Sequence, residues 1–173
     1  MNNDLCIYRM EPRRGETLPP DGVTFVPLMS SWHGAQHFHA LRMEFGLARA
    51  FRALLKLLSG SRFLFVFLRQ GGIVCYVWST EHSPRYPIGQ HACVLGPLNT
   101  QRAMRGRGLA SSLLRLASEQ LAARGYREIY IDTASYNVAS QRTILRAGFT
   151  PYAAMRAGQL ELSPSIDAEP HAP

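Results

Sequence analysis

A glycine-rich turn between a strand pattern and a helix pattern constrains this 173-residue chain more than any other segment. Residues 91–100 favour a strand, and from Leu109 the apolar residues recur with helical spacing. Between them, the glycines of the run RGRGLA let the backbone turn tightly, so that several N–H groups converge. The helix start adds unpaired N–H groups and its dipole, while Arg105 and Arg107 add positive charge. The segment therefore predicts a socket for a polyphosphate.

Length and composition restrict the class of protein. The length fits one domain with a substantial core, and no apolar run is long enough to span a bilayer. The N-terminus lacks the layout of a signal peptide, and the three cysteines, Cys6, Cys75 and Cys93, lack metal-like spacing. We expect a cytoplasmic protein with reduced thiols, no metal site and no membrane partner.

The net charge of +7 comes almost entirely from arginine, since Lys56 is the only lysine. A basic chain suits an anionic cofactor, nucleic acid or an acidic membrane surface. The cations are scattered, however, and no strand surface interleaves them with aromatic residues. The pattern favours a solvated basic face and disfavours nucleic acid as a partner.

The periodicity of apolar residues predicts the order of the elements. Strand patterns at 5–10 and 23–28 compete to be the first strand of the main sheet. The remaining prediction, in chain order, is a helical region from Trp32 to Leu58 broken near Gly46, a hairpin of strands 62–69 and 73–79, a strand at 91–100, a helix from Leu109 to Gly125, a strand at 128–133, a helix at 138–146 and a strand at 151–155.

This order predicts an α+β fold with one mixed sheet. The strands near 91–100 and 127–133 enclose one helix and should be parallel, whereas the hairpin is antiparallel. We expect a single domain over residues 1–162 and a disordered tail over 163–173. A helical stripe is predicted to be a core face; it consists of Leu47, Phe51, Leu54, Leu55 and Leu58.

Three kinds of phosphate socket compete for the glycine-rich turn. The P-loop pattern is absent. Gly106 to Ser111 gives G-x-G-x-x-S, and Asp132 lies where the acidic residue of a dinucleotide fold would fall. That pattern lacks its third glycine and follows a hairpin late in the chain, which leaves too little sequence for a doubly wound sheet.

The third socket is the best match. Arg105-x-x-Gly108-x-Ala110 resembles the pyrophosphate loop of the GNAT superfamily of acetyl-CoA-dependent N-acetyltransferases, and the run from Asn137 to Ser140 with Gly148-Phe149 extends the resemblance. It implies a GNAT-like acyl-CoA N-acyltransferase fold, with an antiparallel hairpin half and a βαβ half splayed around the cofactor. The implied function is direct transfer of an acetyl group from acetyl-CoA to a primary amine of a small molecule or a protein.

The resemblance also implies which residues bind coenzyme A. The end of the strand offers backbone groups to the pantetheine arm, the turn holds the pyrophosphate, Ser111 adds a hydroxyl, and Asn137 contacts the pantetheine or orders the loop before the last helix. The implied set is Leu98, Asn99, Thr100, Arg105, Gly106, Arg107, Gly108, Leu109, Ala110, Ser111, Asn137 and Ser140.

The catalytic residues are less defined, because two frequent family residues are missing. The tyrosine often found seven residues after the asparagine is Ile144 here, and the strand before the turn lacks a glutamate. Either His91 or Glu81 is predicted to accept the amine proton. The thiolate is expected to be assisted by Ser140 or a nearby tyrosine such as Tyr136. His82 and Asp132 are further candidates for the base.

The resemblance places the acceptor against residues 32–58 and 81–90, where cations outnumber anions. This balance favours an acceptor that carries negative charge. Leu95, Leu98 and Ile131 are expected to line the acyl group, whose length stays open. The alternative function is a non-catalytic acyl-CoA-binding or sensor domain. The oligomeric state also stays open, a homodimer included.

Overall fold

A mixed sheet of eight strands organises the computed structural model, which describes residues 4–156 and 158–162. The strands are β1 (Leu5–Met10), β2 (Thr24–Leu28), β3 (Arg62–Arg69), β4 (Gly72–Thr80), β5 (Ala92–Thr100), β6 (Glu128–Ala134), β7 (Thr150–Arg156) and β8 (Gln159–Leu162). The helices are α1 (Ser31–Gln36), α2 (Phe38–Phe45), α3 (Leu47–Leu58), α4 (Leu109–Ala123) and α5 (Val138–Arg146), with a 3-10 turn at Arg102–Met104. The tail predicted to be disordered, 163–173, lies outside the described residues.

The strands lie in the order β2-β3-β4-β5-β6-β1-β7-β8. β5 and β6 run parallel and are joined through α4, whereas β3 and β4 form the antiparallel hairpin. The predicted α+β fold with a mixed sheet is confirmed. Both N-terminal candidates belong to the sheet: β2 pairs with β3 at one edge, and β1 lies between β6 and β7, antiparallel to both.

Helices α4 and α5 cover one face of the sheet. Ile144 of α5 joins the main core together with Phe65 and Phe67 of β3. The helical spacing of apolar residues from Leu109 onward predicts an apolar stripe on α4. This stripe is confirmed, because all of its members are buried in that core: Leu109, Leu113, Leu116, Ala117 and Leu121. Gly125, with φ of +91°, follows the end of this helix, as the sequence indicates.

The opposite face is divided between helices and a loop. Helices α2 and α3 contribute to a core with residues of β2, β3 and β4, and α1 packs against α3 and β2. The loop after β4, residues 81–91, places Tyr86 against Val94 of β5 and Tyr130 of β6 in a smaller core. Cavities remain where the helical half and the loop half of this face meet.

The predicted helical region is broken twice. Gly46 has φ of +79° and separates α2 from α3, which confirms the predicted break. A second break at His37 separates α1 from α2. The hydroxyl of Ser30 accepts a hydrogen bond from the His33 N–H at 3.3 Å and caps α1.

The predicted core stripe of α3 is wrong. Leu47, Phe51, Leu55 and Leu58 are between 53% and 65% exposed, and Leu54 is half-buried. The buried side of the helix consists of Ala50, Ala53 and Leu57. Small alanines let α3 pack closely, and Gly34 does the same for α1, since a Cβ there would lie 2.5 Å from Leu54 Cδ2. Close packing of backbones therefore decides which apolar side is covered.

Candidate active site

The glycine-rich turn lies between β5 and α4 and faces solvent. Gly106 and Gly108 have φ of +76° and +73°, a conformation that other residues rarely adopt. Both glycines and Arg107 are exposed, and a Cβ added at either glycine would meet no atom within 4 Å. Met104 anchors the segment, since it is 8% exposed and its sulfur accepts a hydrogen bond from Arg69 Nη1 at 3.3 Å. The turn is therefore open to a ligand.

Consecutive backbone N–H groups in this turn have no acceptor. Within the described residues, the N–H groups from Gly106 to Ser111 make no hydrogen bond, and no side chain caps α4. The next N–H, that of Ser112, donates to the Gly108 carbonyl at 3.1 Å. Unpaired N–H groups at a helix start beside two exposed arginines form an anion-binding surface.

Some predicted donors are already engaged inside the protein. Arg105 donates through its N–H to the Arg102 carbonyl at 3.4 Å and through Nε to the Thr100 carbonyl at 3.1 Å. The Ser111 hydroxyl is nearly buried and donates to the Gly108 carbonyl at 2.9 Å. The free backbone donors consequently begin at Gly106, and Leu109 anchors the helix in the core.

Strands β5 and β6 separate next to this turn. They pair only from Ala92 to Leu95 on β5, whereas β5 stays paired with β4 as far as Thr100. A bulge at Gly96–Pro97 accompanies the separation, because one extra residue of β5 lies opposite Trp78 of β4. A cavity of about 580 Å³ occupies this region, and we call it the strand gap.

The strand gap brings together residues from both sides that the sequence analysis singled out. Leu98 of β5 lines it, as do Asn137 and Ser140 at the start of α5. Leu95 and Ile131 supply apolar walls. The gap therefore brings Leu98, Asn137 and Ser140 of the predicted coenzyme A set together with the predicted acyl-lining residues.

Two polar side chains of α5 have distinct environments in the strand gap. Asn137 Oδ1 accepts a hydrogen bond from the Ser140 N–H at 3.1 Å and so caps the helix. Asn137 thereby orders the start of α5. The hydroxyl of Ser140 makes no hydrogen bond within the described residues, and this side chain is half-buried. It is a free donor at the wall of the cavity.

The last residues of β5 remain part of the sheet. Asn99 and Thr100 pair with β4, and the Thr100 hydroxyl lies 3.1 Å from Cys75 Sγ. Burial raises the pKa of the Cys75 thiol to about 11. Of the three predicted pantetheine contacts on β5, only Leu98 lines the strand gap.

Two of the four predicted catalytic residues lie in a different cavity. Glu81 and His91 line a space of about 810 Å³ at the beginning of β5. There Tyr126 Oη donates to Glu81 Oε1 at 2.5 Å, and burial together with this hydrogen bond raises the pKa of Tyr126 well above its ordinary value. Tyr136 is 79% exposed and lines neither cavity, whereas His82 lines both.

Asp132 at the end of β6 anchors the loop that covers the strand gap. Its carboxylate accepts hydrogen bonds from Arg85 Nη1 at 2.7 Å and from Tyr86 Oη at 3.1 Å. Burial and the charge of Asp132 raise the pKa of Tyr86 well above its ordinary value. Sequence reasoning missed this cluster, although the Pro-rich loop and an acidic residue at a strand end were visible.

Position 144, where the family resemblance led us to expect a tyrosine, holds an isoleucine that belongs to the core. Ile144 is fully buried in the main core, where it packs with residues of α4. Its side chain therefore serves packing. Within the described residues, the free hydroxyl on the α5 side of the gap is that of Ser140.

A family model decides the classification of this chain. The model of the Acetyltransferase (GNAT) family matches residues 28–149, which include the strand gap and the glycine-rich turn. The chain belongs to the GNAT acetyltransferase family. No curated protein matches its sequence.

Solved structures share the fold at low sequence identity. A GCN5-related N-acetyltransferase from Sphaerobacter thermophilus is 20% identical with a TM-score of 0.61, and the match covers 87% of this chain and 49% of that one. A putative GNAT acetyltransferase from Novosphingobium aromaticivorans is 18% identical with a TM-score of 0.58, covering 89% and 62%. This GNAT protein thus spans about half to three fifths of their lengths.

A shorter relative was solved with a ligand. AAC(6')-Iy, in complex with the bisubstrate analogue CoA-S-monomethyl-acetylneamine, is 16% identical with a TM-score of 0.56. The match covers 74% of this chain and 90% of that chain. At such identities these structures establish the common fold alone.

The described residues lack the features of two other classes of site. None of the helices there is both long and apolar enough to cross a membrane. In the same part of the chain, no three His, Cys, Asp or Glu side chains gather in a group that could hold a metal ion.

Proposed function

We propose that this GNAT protein transfers an acetyl group from acetyl-CoA to a primary amine of a small molecule or a peptide. One observation carries the proposal: the unpaired N–H groups from Gly106 to Ser111 adjoin the gap between β5 and β6. An anion-binding surface beside a slot fits a molecule that has a diphosphate at one end and a narrow arm. The donor set and the open turn therefore suit coenzyme A.

The residues that would hold coenzyme A follow from this geometry. The N–H groups from Gly106 onward and the guanidinium group of Arg107 would bind the diphosphate. Leu98 and Asn137 would line the pantetheine arm. Leu95 and Ile131 would contact the acyl group, and the apolar wall they form suits a short chain such as acetyl.

The reaction itself exchanges one bond for another. Bound acetyl-CoA supplies a thioester, and the amine nitrogen bonds to its carbonyl carbon while the carbon–sulfur bond breaks. One proton leaves the amine, and one proton converts the departing thiolate to a thiol. Ser140 would donate to the sulfur, because its hydroxyl is free at the wall of the gap. Holding both reactants in one cavity supplies much of the rate.

His82 is the candidate best placed to accept the amine proton. It lines the strand gap, whereas Glu81 and His91 line the neighbouring cavity without lining the gap. Asp132 also lines the gap, but Arg85 and Tyr86 already donate to both of its oxygens. The proposal therefore assigns the base role to His82.

We also propose a cytoplasmic location. Cys6, Cys75 and Cys93 are all free thiols, which suits a reducing compartment.

Thermal unfolding with coenzyme A tests the binding half of the proposal. A ligand that binds the folded state raises the melting temperature. Arg107→Gln should weaken the affinity for coenzyme A about 10- to 100-fold, which corresponds to one lost charge-assisted hydrogen bond. Arg115→Gln is the matched control, because Arg115 is exposed on α4 and this substitution removes the same charge away from the turn. No shift with saturating coenzyme A in the wild-type protein would refute the proposal.

Thiol release tests the catalytic half. Acetyl-CoA incubated with a library of primary amines should yield free thiol and acetylated amine in equal amounts. The alternative, a non-catalytic acyl-CoA-binding or sensor domain, is favoured by the buried Ile144 and predicts binding without thiol release.

A further inference from the structure

A smaller cavity lies beside the strand gap on the face of the sheet that carries α3. It has a volume of about 400 Å³ and is bounded by the last turn of α3, by β3 and β4, and by the start of the loop after β4. It shares His82, Gly96 and Pro97 with the strand gap, so the two cavities meet at the bulge of β5. We call it the basic cleft. A molecule bound in the cleft therefore has access to the gap.

The basic cleft carries positive charge without a compensating carboxylate. Lys56 and Arg62 line it, and no Asp or Glu does. Neither cation forms an ion pair within the described residues. Glu44 is the only acidic residue between positions 22 and 80, and it accepts a hydrogen bond from Gln101 instead. The cleft thus offers two unpaired cations to a ligand.

Trp78 supplies the apolar wall of the cleft. Lys56 Nζ lies 5.4 Å from the centroid of the indole ring, which favours a defined position for the ammonium group. Arg62 and Thr80 face each other across β3 and β4, two residues along from the pair of Leu64 and Trp78. Both pairs therefore project from the same face of the sheet. The cations and the indole consequently converge on one small volume.

We propose that the basic cleft binds the acceptor, and that the acceptor is a small primary amine with a carboxylate or phosphate group at its other end. This inference rests on the proposed acetyl transfer. Lys56 and Arg62 bind the anionic group, and the apolar body contacts Trp78. The volume of about 400 Å³ limits the acceptor to a small molecule.

Matched pairs of amines test the inference. β-Alanine is compared with β-alaninamide, and phosphoethanolamine with ethanolamine, so that each pair differs in the anionic group. Binding is measured by calorimetry with coenzyme A present, and turnover by thiol release from acetyl-CoA. We expect the anionic member of at least one pair to bind about tenfold more tightly or better. The pair that responds identifies carboxylate or phosphate as the recognised group.

Substitutions test whether Lys56 and Arg62 are the side chains that bind the anionic group. Arg62→Gln and Lys56→Gln should each remove most of the preference for the anionic amine and should not weaken binding of the partner that lacks the anionic group. Arg52→Gln is the control, because Arg52 is exposed one turn earlier on α3 and does not line the cleft. Since Lys56 and Arg62 are both exposed, the variants should fold. Unchanged binding of coenzyme A verifies this.

The outcomes separate this inference from the proposed function. Equal or tighter binding of the amines that lack the anionic group overturns the inference, and so does a preference that survives both substitutions. Acetylation of amines without an anionic preference leaves the transferase proposal intact. Loss of coenzyme A binding in the wild-type protein refutes the transferase proposal instead.

Discussion

The Arg85 guanidinium group donates to the Asp132 carboxylate across 2.7 Å, and this contact ties the loop after β4 to the end of β6. Tyr86 of the same loop donates to the second oxygen of Asp132 at 3.1 Å. The loop carries His82 over the strand gap, so one carboxylate positions the cover of the candidate active site.

Removal of this carboxylate should destabilise the fold. Asp132→Ala leaves the Tyr86 hydroxyl, in a side chain only 4% exposed, without its acceptor. An unsatisfied buried polar group costs about 1–3 kcal/mol, and we expect the free energy of unfolding in urea to fall by that amount. Tyr86→Phe removes the donor and should cost less, because Asp132 keeps its bond to Arg85. Equal losses in the two variants would contradict this explanation.

Local periodicity explains why much of the fold could be predicted. The hairpin of β3 and β4, the stripe of α4 and the ends of α4 and α5 depend on residues that are close in sequence. The position of β1 could not be predicted, since Tyr8 pairs with Ile131, more than a hundred residues away. The sequence of β2 fits a strand as well as that of β1 does, so composition alone cannot assign the two strands to their places in the sheet.

The side of α3 that faces the core could not be predicted from the sequence either. Its polar residues, Arg49, Arg52 and Lys56, occupy one side and leave an apolar sector wider than the sheet can cover. The buried edge is the one that carries alanines, because small side chains permit the closest approach. Likewise, the glycine-rich turn follows from its glycines, whereas the separation of His91 from Ser140 depends on the path of a Pro-rich loop.

A pair of leucines on α3 tests which side is buried. Leu57 is 2% exposed and Leu55 is 65% exposed. Leu57→Ala should lower the free energy of unfolding by about 2–5 kcal/mol, because it leaves a cavity in the core. Leu55→Ala should change it by less than about 0.5 kcal/mol. Urea titration of both variants gives the comparison, and a larger effect at Leu55 would show that the stripe is covered after all.

Alkaline pH should destabilise the protein through its buried thiols. Burial raises the pKa of Cys75 from 9.0 to about 11, and that of Cys93 to about 12. The folded state retains the proton where the unfolded chain has lost it, so this contribution is complete below pH 9 and is lost as the pH rises through 11.

The size of this effect follows from the shift. Between pH 9 and pH 11, wild-type protein should lose about 2 kcal/mol more unfolding free energy than Cys75→Ala, at about 1.4 kcal/mol per pKa unit. Urea unfolding under reducing conditions measures the difference. Cys6→Ala is the control, since Cys6 is half-buried. Parallel pH curves for wild type and Cys75→Ala would contradict the prediction.

The two histidines near the ends of the covering loop should differ in their effect on turnover. His82 lines the strand gap and the basic cleft, whereas His91 lines the neighbouring cavity at the start of β5. His82→Gln should lower kcat/KM by about 10²–10⁴-fold, because it deletes the group that accepts the amine proton. His91→Gln should leave kcat/KM close to the wild-type value. Both values are measured by thiol release at saturating acetyl-CoA, and a large loss in His91→Gln alone would transfer the base role to the other cavity.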